Sequence, residues 1–88
     1  MTQEEFKAAL KGLDLSDLRI EFDSETSPPN LVVVLTSPSF EGREDWQRQE
    51  QVWTHLLQRA DLEWSQVEFV FTLTPSERAA LTAAPGAA

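Results

Sequence analysis

The run Leu31-Val32-Val33-Val34-Leu35-Thr36 constrains this chain more than any other feature. Apolar residues follow one another without polar alternation, so the run does not suit a strand that turns every second side chain to water. It reads as the interior strand of a sheet, covered by other elements and flanked at its edges. Pro28-Pro29-Asn30 precedes it and Pro38 follows, and proline supplies no ladder donor, which bounds the strand at residues 31–36. A chain of 88 residues buries only about 60 to 65 per cent of its unfolded surface and builds a single small core. The remaining apolar segments must therefore be arranged around this strand.

Thr2 and Glu5 have the capping-box spacing, and Phe6, Ala9, Leu10 and Leu13 follow at helical intervals, which predicts a short amphipathic helix over 3–11 stopped by Gly12. Leu18, Ile20 and Phe22 alternate with Arg19, Glu21 and Asp23, the period of a half-buried strand over 18–23, joined to the interior strand through Ser24 to Asn30. Residues 43–60 return to helical spacing, with Trp46, Trp53, Leu56, Leu57 and Ala60 on one stripe and Val52 beside it. Trp46 and Trp53 are accordingly expected in the core. Val67, Phe69, Phe71 and Leu73 share one face of a strand over 67–73, and Thr74-Pro75-Ser76-Glu77 combines a capping box with proline at the first helical position, opening a last helix to about Leu81. The expectation is an α+β two-layer sandwich in αββαβα order, with a three-stranded mixed sheet covered by helices on one face. It forms one domain over 1–82, followed by a disordered tail over 83–88.

Composition excludes several chemistries. There is no cysteine, which removes disulfides, thiolate nucleophiles and sulfur ligands for zinc or iron. The single histidine, His55, does not suffice for a histidine-rich metal site, and no metal is expected. Seven Lys and Arg against fifteen Asp and Glu give a formal net charge of −8, which repels a phosphate backbone and disfavours nucleic acid as a partner. No apolar run approaches the roughly 20 residues of a membrane span, so no membrane partner is expected. The acidic, polar opening Met1-Thr2-Gln3-Glu4-Glu5 is unlike a secretory signal, and a cytoplasmic location is the expectation.

No serine sits in a nucleophile elbow, and no phosphate loop or dinucleotide fingerprint is present, so catalysis, a catalytic residue and a cofactor are not expected. The acid pairs Glu4-Glu5 and Glu44-Asp45 are adjacent on helices and diverge. His55 reads either as a partly exposed surface residue or as one ligand of a metal shared with another protein. The better candidates concern binding. Phe40-Glu41-Gly42 lies between an apolar strand and a helix start, where glycine permits unusual backbone geometry and Arg43 and Arg48 can meet carboxylates. Phe40, Gly42, Arg43, Arg48 and Trp64 are the candidate partner-binding residues, although Phe40 also suits a core position and Trp64 reads equally as core or interface.

A strand followed by Phe40-Glu41-Gly42, a helix carrying Arg48-Gln49 and then Val52-Trp53, and a strand running into Thr74-Pro75-Ser76-Glu77 resemble, in order and spacing, the BolA-like proteins. The match covers about half of the chain in short pieces. The resemblance implies a class II KH-like fold and a non-enzymatic adaptor or regulator whose partner is a monothiol glutaredoxin, linked to iron–sulfur metabolism. Members contribute a histidine at the start of the last strand to a shared cluster; that position is Gln66 here, so the resemblance implies no cluster ligand from this chain. The alternative is an unrelated small acidic α+β domain acting as a subunit, inhibitor or nucleic-acid mimic on a basic protein surface. One contiguous acidic face would favour it.

Overall fold

The computed structural model describes residues 1–23 and 30–86, with side chains as far as Leu81. The elements are α1 (Gln3–Leu10), β1 (Arg19–Phe22), β2 (Leu31–Thr36), α2 (Asp45–Leu56), β3 (Val67–Leu73) and α3 (Pro75–Gly86), with short 3-10 turns at Pro38–Phe40 and Trp64–Gln66. The fold is α+β. The sheet order is β1-β2-β3, with β1 antiparallel and β3 parallel to β2. The apolar run over 31–36 is thus the central strand, and α2 makes the crossover that a parallel neighbour requires. Apart from Asn30, the connection read over Ser24 to Asn30 lies outside the described residues.

Local chemistry sets the ends of these elements. The Thr2 hydroxyl accepts from the Glu5 N–H at 3.0 Å and the Glu5 carboxylate accepts from the Thr2 N–H at 2.8 Å, the reciprocal capping box that starts α1. Gly12 adopts φ +87° after the helix, a left-handed conformation open to glycine. Thr74 and Glu77 repeat the reciprocal cap at α3. This last helix runs past Leu81 through four residues of the segment expected to be a disordered tail, because Ala83-Ala84 supplies the strongest helix former twice before Pro85-Gly86 closes the element. Ala87 and Ala88 lie outside the described residues.

A single apolar cluster joins α1 and α2 to one side of the sheet, while α3 meets the other side, where Arg78 pairs at 2.8 Å with Glu21, opposite Val34. Phe6, Ala9 and Leu10 of α1, Val52 and Leu56 of α2, Leu31, Val33 and Leu35 of β2, and Val67 and Val70 of β3 are buried together with Phe40. Two sequence-based expectations fail here. In β3 the buried residues are Val67, Val70 and Thr72, while Phe69 and Phe71 are 63% and 47% exposed. The cause is a bulge: Leu31 pairs with Val67 but Val32 with Phe69. Glu68 is therefore the extra residue, and every side chain beyond it changes face. In α2 the inward stripe is Arg48, Val52 and Leu56, about 100° from the expected one, which leaves Trp46 64% and Leu57 56% exposed. Trp46 is thus a surface residue rather than a core one. Trp53 is half-buried against the cluster, its ring edge-on to Trp64 at 5.8 Å.

Candidate functional site

The turn after β2 and the start of α2 bring the candidate residues together, but not on one surface. Ser37 Oγ donates to the Ser16 carbonyl at 2.6 Å and Ser39 Oγ accepts from the Ser16 N–H at 2.9 Å, tying the approach to β1 to the turn after β2. The 3-10 turn then drives Phe40 inward, where it is fully buried. Gly42 follows at φ +74°, with open space where a Cβ would lie. Its role is to supply that dihedral, not to let a backbone approach.

Arg48 also points inward and is only 8% exposed. Its Nε donates to the Arg43 carbonyl at 3.0 Å, its Nη1 to the Thr72 carbonyl at 3.0 Å and to the Glu77 carboxylate at 2.7 Å, and the guanidinium lies 5.8 Å from the centre of the Phe40 ring. Arg48 first, and then the Thr74 N–H, hold the Glu77 carboxyl below the usual glutamate value. Four of the candidate groups are thus explained by architecture. Phe40 fills the core, Arg48 is a buried clamp, and Trp64 packs edge-on to Phe6 and Trp53 while its Nε1 donates to the Arg59 carbonyl at 2.9 Å. Gly42 fixes the turn at the surface.

Arg43 is the candidate whose side chain makes no ion pair among the described residues. It is exposed and shares a shallow groove with Trp46, Gln47, Glu50, Gln51 and Thr54 on the outward side of α2. Trp46 is the residue that sequence reasoning misses, because an apolar side chain at helical spacing reads as core, whereas here it is 64% exposed. The signal that places it outside is the Arg48/Val52/Leu56 stripe, visible only once Arg48 is known to be satisfied inside.

Of the residues considered for ligand chemistry, His55 is occupied elsewhere. His55 donates from Nε2 to the Lys11 carbonyl at 2.8 Å, which holds the end of α1 against α2. Gln66, at the position where the resemblance places a histidine, is half-buried in its 3-10 turn, and its amide oxygen is buried with no hydrogen-bond partner among the described residues. Among the described residues no three His, Asp or Glu side chains converge as a metal would require. A concavity of about 820 Å³ lies between β1 and α3, and the pair Arg78–Glu21 at 2.8 Å crosses its wall. Acidic side chains among the described residues come from α1, β1, α2, β3, α3 and the loops between them. No helix among the described residues is long and apolar enough to cross a membrane. Comparison with family models, with curated proteins and with solved structures gives no match to this chain.

Proposed function

We propose that this chain is a non-enzymatic protein-interaction adaptor of BolA-like type, acting in the cytoplasm on a monothiol glutaredoxin and contributing no cluster ligand of its own. The observation that carries the reading is the exposed pair Arg43 and Trp46. Tryptophan and arginine are the side chains that most often anchor protein interfaces, and here they share one groove on a helix whose inward face is already filled. Arg48, the second arginine expected to meet a partner, is bonded to backbone carbonyls inside, so the contact is assigned to Arg43 and Trp46. The element order with its parallel β2–β3 pair accords with the KH-like arrangement that the resemblance implies.

Calorimetric titration with a monothiol glutaredoxin tests this. A complex of micromolar affinity or tighter is expected, weakened at least about tenfold by Arg43→Glu and by Trp46→Ala, both with unchanged melting because both side chains lie at the surface. If no complex forms, the glutaredoxin reading falls. If one forms and both variants bind as the parent does, the groove is not the interface.

A further inference from the structure

The side of the sheet turned away from the core is crossed at one end by α3, whose Arg78 pairs with Glu21 opposite Val34 and near which Thr36 is buried. Beyond that helix it is apolar across two strands. The register sets Val32 beside Phe69, Val34 beside Phe71 and Thr36 beside Leu73. Val32, Val34 and Leu73 are half-buried, and the exposed Phe69 and Phe71 rings stack with centroids 5.9 Å apart at 25°. Scattered exposed apolar residues are ordinary, but a contiguous patch with two phenyl rings at its centre marks an interaction surface. The Glu68 bulge creates this patch. Without it the alternation would carry both rings into the core, and bulges commonly re-aim side chains in this way.

The edges of the patch narrow the choice of occupant. Strand addition along β3 is blocked, since the Val70 carbonyl accepts from Gln49 Nε2 at 2.7 Å and the Thr72 carbonyl from the buried Arg48. A second copy would bring another −8 against the first, and nucleic acid is repelled by the same charge. Beside the rings, a groove of about 370 Å³ between α2 and β3 carries Asp45 and Glu68 and no cation in its lining. Neither carboxylate is in an ion pair among the described residues. Residues one turn apart on a helix stand about 5 to 6 Å apart, close to the spacing of the two rings, and a helix is the element that covers an open sheet face.

We propose that the outward face of β2 and β3, centred on Phe69 and Phe71, docks a basic amphipathic helix of another polypeptide. Its apolar stripe lies on the two rings and its lysine or arginine flank reaches Glu68 and Asp45. This surface is separate from the Arg43–Trp46 groove, so a domain of this size offers two partners two different faces.

The test titrates the full chain with two synthetic helices of about 18 residues, long enough to hold helical structure. They share one leucine stripe and differ only in lysine or glutamate flanks. The lysine peptide is expected to bind at micromolar affinity and the glutamate peptide at least about tenfold more weakly. Phe69→Ser with Phe71→Ser should lower lysine-peptide affinity about tenfold or more with unchanged melting, and Glu68→Lys should lower it selectively. Failure of the lysine peptide to bind overturns the proposal. So does equal binding by the parent and the Phe variant, which would be charge attraction alone. Concentration-dependent dimerisation in sedimentation that Phe71→Ser abolishes would assign the face to a second copy and also overturn it. None of these results depends on glutaredoxin binding, so the two readings fail independently.

Discussion

Arg48 occupies a core position as a charged side chain because its donors find acceptors from three directions: the Arg43 and Thr72 carbonyls and the Glu77 carboxylate. It joins the Phe40 turn, α2, β3 and the first turn of α3. Replacing it with Met keeps much of the aliphatic packing but strips both carbonyls of their donor, and leaving buried acceptors unmade costs about 1 to 3 kcal/mol each. Arg48→Met is expected to lose about 2 to 4 kcal/mol in urea denaturation, and a loss below about 1 kcal/mol would mean that the clamp is dispensable. The same contact gives an acid dependence. The Glu77 carboxyl titrates below its usual 4.5 in the folded chain, so its stabilising contribution is complete above that value and disappears as pH falls through the lower, folded one. Stability should therefore decline below about pH 4.5, and Glu77→Gln should flatten part of that decline while being less stable at neutral pH. Glu21, lowered in the same direction by Arg78, preserves the remaining slope in the variant. Because the Glu77 side chain is 46% exposed, solvent screening keeps its share small.

At the level of elements, the bounds of β2 and β3 were legible in the sequence, whereas the faces of α2 and β3 were not. Helix α2 stops at Leu56, short of the expected 60, and α3 runs on to Gly86. β2 and β3 occupy the residues that β-branched content and flanking Pro, Thr and Asn indicate, and both reciprocal caps that the spacing predicts are formed. A period-two reading of β3 fails because a bulge of one residue at Glu68 leaves no compositional trace while inverting everything after it. The α2 stripe fails for a related reason: scoring Arg48 as polar rotates the apparent apolar face toward Trp46 and Leu57. The bulge makes a sharp prediction. Val70→Ala should cost about 1 to 3 kcal/mol, as truncation of a buried aliphatic does, whereas Phe69→Ala should change stability by less than about 1 kcal/mol. Paired thermal melts decide it, and the reverse order would restore the strict alternation.

For the whole molecule, the proposed binding groove was less legible than the fold because it rests on exposure, which spacing encodes only through packing. Trp46 and Arg43 are three residues apart, yet their shared groove follows from where Arg48 points. Charge is the property that composition does fix, and the structure sharpens its meaning. Lys7, Arg48, Arg59 and Arg78 are each paired with a carboxylate, and the other three cations, Lys11, Arg19 and Arg43, in no ion pair among the described residues, lie at the end of α1, on β1 and ahead of α2. Tight duplex binding draws on about 6 to 10 phosphate contacts whose released counterions drive association, and three cations from separate elements amid a net charge of −8 do not assemble such a track. The KH-like architecture that the resemblance implies therefore carries no nucleic-acid expectation to this chain. Fluorescence anisotropy with duplex and single-stranded oligonucleotides at about 0.15 M salt should give no affinity at or tighter than about micromolar. Nanomolar binding that weakens steeply with added salt would reveal a cationic surface that these pairings do not provide.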